Sequence, residues 1–262
     1  MQQNLLIKPT VIQKQLLTKE SISRAVTRFT FNISAIDSLF PGFKTGDFAI
    51  LYGPESVTSL TSLFCVRAQL PARLGGLESD VVFIDCASSS SLSNIERTVQ
   101  LQHLDAEAAL ERVHHIRVHT AYRLTSIIME KLYETVKTSD AKLVVISDIA
   151  APFLHENVDD HEARTVFSQI MNYLSNFAKQ HGIIIIATYL PHESSTRNCM
   201  LQEIINAKAN TVLRFTKTPF NKEVELEKHP SYVLGVADLT SENQDLTDFI
   251  GAVRNNPNYF LM

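Results

Sequence analysis

The chain has 262 residues, 45% of them hydrophobic, and carries 24 Lys and Arg against 28 Asp and Glu, a formal net charge of −4. That much apolar material excludes a mainly disordered chain, and the length suits one α/β domain of roughly 230 residues with a short extension. The charge balance excludes an overall basic field, so nucleic-acid binding would need a local patch.

Residues 1–25 are polar around two apolar clusters, Leu5–Ile7 and Val11–Ile12, and are expected to form an arm or linker. A core domain is expected over 26–250 and a tail over 251–262. Within the core, Asp47–Tyr52 is a buried-strand run ended by Gly53, and residues 58–70 have helical spacing. Asp80–Asp85 predicts a second strand, with Ser93 and Glu96 as a capping box for the next helix. His115–His119 predicts a weaker strand, 122–138 a helix, and Lys142–Ile149 an apolar strand. An amphipathic stripe from Val166 to Ala178 predicts a helix over 160–181, closed by Gly182. Ile183–Tyr189 predicts another buried strand. Beyond about 210 the strands Thr211–Thr216, Glu223–Glu227 and Tyr232–Leu239 follow without helices. The expected fold is therefore α/β, a mainly parallel twisted sheet with helices on both faces and an antiparallel C-terminal edge.

The three cysteines, Cys65, Cys86 and Cys199, are far apart and include no CxxC pair, which argues against disulfides or a zinc module. Cys65 and Cys86 are expected to be small core residues. The N-terminus lacks a charged region followed by a long apolar stretch, and no apolar run approaches ~18–20 residues. The expected location is soluble and intracellular: cytoplasm or nucleoid, or nucleus in a eukaryote, with no membrane partner. Nine histidines invite a metal site. However, His114 and His115 alternate faces on a strand, and His155 and His161 sit in a loop, so none is expected. Lys217, Lys222 and Lys228 flank the late strands as ordinary edge protection.

Residues 50–61, ILYGPESVTSLT, lie where a strand meets a helix, as in a P-loop, GxxxxGK[ST]. With the pieces around it, this stretch resembles the RecA/RadA recombinase family and implies a RecA-like P-loop ATPase core. Upstream, Ile36-Asp37, Pro41-Gly42 and Thr45-Gly46 resemble the family's approach to its first core strand. Gln69–Pro71 and Gly75–Leu77 before VVFID resemble the stretch leading to the second strand. Lys142–Ala151 resembles the Walker B strand. Lys228–Ser231, with Gly235 and Ala237, resembles the late hairpin that caps a neighbour's nucleotide. The resemblance covers about residues 24–240.

The resemblance also assigns positions. A working P-loop uses glycines so that backbone N–H groups reach phosphate, a Lys on the phosphates and a hydroxyl on Mg²⁺. Its counterpart here is Gly53, Pro54, Glu55, Ser56, Val57, Thr58, Ser59 and Leu60. Thr58 takes the second glycine position, Ser59 the lysine and Leu60 the metal ligand. Sliding one residue finds Thr61, but no lysine lies between Lys44 and Lys131. The water-orienting Glu corresponds to Ala87 and the Walker B acid to Ser147. Asp148 comes one step later, on the opposite face of a strand. Tyr189-Leu190 replaces the family's polar pair. The implied protein is a pseudo-ATPase with no catalytic residues and no required cofactor. Residual ATP binding in the crevice, and GPES as an ordinary turn, remain open.

In such recombinases two loops hold single-stranded DNA. Their counterparts are about 152–164, where four acids face Arg164, and about 190–209, with Arg197 and Lys208. Those three residues are the candidate nucleic-acid contacts, and only weak binding is expected. Asp159 or Asp160 alternatively caps the next helix. The implied function is a non-catalytic recombinase paralog that docks onto a recombinase or another paralog in homologous recombination and DNA repair. No FxxA occurs in residues 1–30, so Leu5–Ile7 and Val11–Ile12 either take that docking role or form a frayed tail. Two other classes stay open: a single-stranded nucleic-acid-binding module without ATP turnover, and a RecA-like regulator outside DNA repair, such as a cell-division inhibitor.

Overall fold

The computed structural model describes residues 28–54, 57–87, 91–102, 104–154, 158–192 and 195–240. The expected arm and tail, Glu55, Ser56 and the serine run at 88–90 lie outside the described residues. Eight strands, β1 Phe48–Tyr52, β2 Val81–Asp85, β3 Val113–Arg117, β4 Leu143–Ser147, β5 Ile184–Tyr189, β6 Thr211–Lys217, β7 Lys222–Lys228 and β8 Gly235–Asp238, form one sheet in the order β3-β2-β4-β5-β1-β6-β7-β8. The first six are parallel; β7 and β8 are antiparallel. The chain thus has a RecA-like α/β core with an antiparallel C-terminal edge.

The apolar runs are continuous because both faces of the central strands are covered. Phe48, Ile50, Val82, Ile84, Val144, Ile146 and Ile185 enter one core layer, while the residues alternating with them, such as Ala49, Leu51, Val81, Phe83 and Val145, enter the other. The first layer is roofed by α5 Ala121–Ser126, a π-helical turn Ile127–Lys131, α6 Leu132–Ser139, α7 Asp160–His181 and α8 Thr196–Lys208. The second is roofed by α1 Ser34–Leu39, α2 Val57–Arg67, α3 Ser91–Leu101 and α4 Ala106–Glu111. A phenylalanine cluster holds the segment before β1 against α2. The ring centroids of Phe31 and Phe64 lie 5.2 Å apart and those of Phe40 and Phe43 4.9 Å, pairs worth ~0.5–1.5 kcal/mol beyond burial. Arg67, fully buried, reinforces this by donating to the carbonyls of Thr30 and Leu74 at 3.0 and 2.8 Å.

Asp159 caps α7 by accepting from the amides of His161 and Glu162, and Gly182 ends it at φ 62°. Three expectations need correction. Ser93 lies inside α3, which starts two residues upstream of the proposed capping box. The stretch 190–209 is not one loop, because Ser195 accepts from the Asn198 amide and starts α8. The strand at 211–217 pairs parallel with β1, because α8 is the crossover that brings the chain back in the same direction. The helix expected over 122–138 is present but widens at Ile127–Lys131.

Gly53 follows β1 with φ 150°. A Cβ there would stand 2.3 Å from the Phe215 carbonyl oxygen of β6, so the fold itself requires glycine. Gly182 has a left-handed backbone but nothing within 4 Å of a Cβ. Urea unfolding should therefore show Gly53→Ala losing about 3–4 kcal/mol, by backbone clash plus strain. Gly182→Ala should lose only about 1 kcal/mol.

Candidate functional site

Helix α2 follows β1 onto one face of the sheet, while α8 follows β5 onto the other. The adjacent strands β1 and β5 therefore form a switch point, where open α/β sheets bind ligands beyond the carboxyl ends of the strands. Most of the residues singled out in the sequence gather near this end.

On α2, Val57 and Leu60 are buried in the apolar core, 0% and 1% exposed, and Thr58 and Ser59 are half-buried. The Thr61 hydroxyl is buried and donates to the Thr58 carbonyl. Leu60 is therefore a packing residue, and the hydroxyl one step on serves the helix backbone.

Ser147 ends β4 in register with Asp85 of β2. Its hydroxyl donates to Asp85 Oδ1 at 2.7 Å and accepts from the amides of Cys86 and Ala87 at 3.2 Å each. Asp85 also faces His115 Nε2 at 3.4 Å and Arg117 Nε at 3.9 Å. A carboxylate with no exposed surface needs such partners. Ala87 is buried beside this network and adds only its backbone amide, which also bonds Asp85.

Asp148 turns the other way. Its backbone is left-handed, φ 44°, and its carboxylate faces the segment after β5. Oδ1 accepts from the Leu190 amide at 3.3 Å, and Oδ2 lies 3.0 Å from His192 Nε2. Asn198 of α8 donates to the His192 carbonyl and accepts from the Tyr189 hydroxyl. Burial pushes Tyr189 up to about 12, so it stays a neutral donor. Across the switch point Tyr52 stands 6.5 Å from Tyr189, ring to ring, and donates to Glu227 of β7 at 2.7 Å. Burial, and then Glu227, hold the Tyr52 hydroxyl above its ordinary value. The polar groups at this end are largely engaged with one another.

Three candidate contacts were expected to approach nucleic acid. Arg197 is paired with Asp160, and Lys208 lies eleven residues further along α8, about 16 Å away. Arg164 is exposed on α7. In the late hairpin, Lys228 donates to the Asn206 and Ala207 carbonyls near the end of α8, a helix-capping role beyond edge protection. No cluster of three potential metal ligands occurs among the described residues, and none of their helices is long and apolar enough to cross a membrane.

Sequence reasoning missed Asp85, His192 and Asn198. Asp85 was visible at the end of VVFID, but its importance depends on lying opposite Ser147. Asn198, Leu201 and Ile205 carried a helical spacing hidden by the loop template.

Hydrogen bonding to Asp148 holds His192 above its ordinary value, against the opposing effect of burial. A raised histidine pKa adds stability that is fully present below the ordinary value and is lost as pH rises through the raised one. The stability difference between wild type and His192→Gln, from urea titrations, should thus be larger near pH 5.5 than near pH 8.5.

A family model described as Rad51 matches residues 23–203. The DNA repair and recombination protein RadA of Aeropyrum pernix is 24% identical over 179 residues, covering 67% of this chain and 56% of that protein. The meiotic recombination protein DMC1 of Saccharomyces cerevisiae is 29% identical over 96 residues, 37% of this chain and 28% of that protein. The meiotic recombination protein DLH1 of Candida albicans is 24% identical over 136 residues, 52% of this chain and 42% of that protein. The chain thus spans between 28% and 56% of the length of these relatives. With the sheet order and the match running from the segment before β1 into α8, the chain belongs to the Rad51 family.

Proposed function

We propose that this chain is a non-catalytic recombinase paralog, a pseudo-ATPase that serves homologous recombination and DNA repair by docking onto a recombinase or another paralog. The observation that carries the reading is the state of the switch point. Leu60 is packed into the core, Ser147 is bonded to Asp85, and the chain has no lysine from 45 to 130. The P-loop counterpart is degenerate in this reading, and Gly53 persists because β6 crowds it.

Magnitudes support the loss of turnover. Each charge-assisted hydrogen bond is worth roughly 1.5–3 kcal/mol, and about 1.4 kcal/mol is tenfold in rate. Without the lysine, the metal ligand and the water-orienting Glu, hydrolysis falls toward the uncatalysed rate. Asp148 does not replace the missing acid, since its carboxylate is held by His192 and the Leu190 amide. What remains is a recombinase-type scaffold, whose use is then to bind other proteins. The names of the relatives, recombination proteins from an archaeon and two yeasts, support that setting.

The test is a pull-down of tagged full-length chain from native extract treated with nuclease, with a recombinase sought by mass spectrometry. The expected result is a recombinase or paralog retained after nuclease; its absence, or its loss with the nucleic acid, contradicts docking. Purified chain should release phosphate from Mg-ATP no faster than buffer. Turnover abolished by Asp148→Asn would instead reveal an active site.

A further inference from the structure

Strand β8 closes the sheet, and among the described residues it pairs only with β7. Its own sequence, Gly-Val-Ala-Asp, holds neither Lys nor Pro, the usual guards of a free edge. We propose that this edge receives an extended, basic segment of a partner protein, which adds to the sheet as a further strand and lays its Lys or Arg side chains over an acidic sheet face. The edge is the same whether or not the switch point turns over ATP, so this surface and the pseudo-ATPase reading fail separately.

The two faces of the β7–β8 hairpin differ. Val224 and Leu226 of β7 are buried in the second core layer, Ala237 packs beside them, and Leu39 of α1 lies against Gly235. The residues between these turn to the other face. There the register sets Glu223 opposite Asp238 and Glu225 opposite Val236, with Arg214 of β6 next to Glu225. Arg214 pairs with both Glu225 and Glu227, so Glu223, Glu225, Glu227 and Asp238 share this face with one guanidinium. Lys228, at the far end of β7, is turned to the carbonyls that end α8. Glu223 accepts from the Asn221 side chain and Asp238 from the Thr240 amide, and neither has an ion-pair partner among the described residues. Apolar exposure is concentrated at the same edge: Val233, Leu234 and Val236 are 88%, 54% and 56% exposed.

These features select the occupant. An added strand would lie about 4.8 Å from β8 and about 10 Å from β7. Lys and Arg stems can cover Val236 while their charged heads reach toward Glu223 and Glu225. Main-chain hydrogen bonds along the edge would supply affinity, and alternate side chains specificity. Edge protection accounts for Asp238 on the outermost strand, but not for the row of Glu on β7, one strand inward. A solvated polar face accounts for charge, but not for three exposed aliphatic side chains beside charge of one sign. A second copy pairing at the same edge would set acid beside acid, and nucleic acid would meet like charge.

The test uses the full-length chain and a fluorescein-labelled peptide of about ten residues that alternates Lys and Thr, titrated by anisotropy at about 50 mM salt. Binding should be saturable, and it should weaken at least tenfold in Glu223→Lys/Asp238→Lys and several-fold in Val236→Ser. The milder pair Glu223→Gln/Asp238→Asn keeps the test valid if charge reversal unfolds the chain. Replacing two central Thr of the peptide by Pro, which removes main-chain donors but no charge, should cost at least fivefold. Exchange of the β8 amides should slow when the Lys-Thr peptide binds. Glu107→Lys/Glu111→Lys, on the exposed side of α4, should leave affinity within about twofold. Four results would overturn the proposal: no binding of the Lys-Thr peptide, equal binding by both Glu223/Asp238 variant pairs, equal binding of the Pro peptide, or a dimer of this chain that Val236→Lys dissociates, which would make a second copy the occupant.

Discussion

A hydrogen bond from the Ser147 hydroxyl to the buried Asp85 carboxylate governs how the carboxyl ends of β2 and β4 can be used. Asp85 has no exposed surface, and a buried carboxylate without donors would cost several kcal/mol. Ser147, the Ala87 amide, His115 and Arg117 supply the surrounding polar groups. Ser147 is therefore committed sideways, within the sheet. Asp148 is committed in the other direction, to His192 and the start of the β5–α8 connection. The two residues where the chain might have gripped a metal are both held by internal partners.

The same logic extends across the switch point. Tyr189 is bonded to Asn198, Tyr52 to Glu227, and Leu60 of α2 is packed into the core. A ligand entering this crevice would meet these interactions among the described residues. The scaffold that positions them is intact, with two apolar layers and the phenylalanine cluster under β1. A preserved framework around an internally satisfied site suits a protein that works by being bound.

Much of the fold was legible because buried parallel strands have strong local signatures. DFAILY, DVVFID, KLVVISDI and IIIIATY each marked a strand within a residue or two, and the stripe from Val166 to Ala178 marked α7. What failed was information spread between segments. α8 has only three or four inward-facing residues, and a family template led to its being taken as a loop. The capping box at Ser93 matched a local pattern, but the helix began earlier. Within the site, Ser147 and Asp148 point apart as expected, but for another reason: β4 ends at Ser147, and the left-handed backbone of Asp148 turns its carboxylate away. Their partners, Asp85 and His192, are 62 and 44 residues away in the chain, and no spacing rule links them. The parallel pairing of 211–217 with β1 was hidden for the same reason: it depends on the unrecognised crossover.

The central claim, that the phosphate grip is gone while the scaffold survives, is tested most directly by equilibrium binding of Mg-ATP to the full-length chain by calorimetry. The account predicts no saturable heat, and no stabilisation against thermal unfolding at millimolar nucleotide. Saturable binding that raises the melting temperature by several degrees, and that Asp148→Asn abolishes, would contradict it.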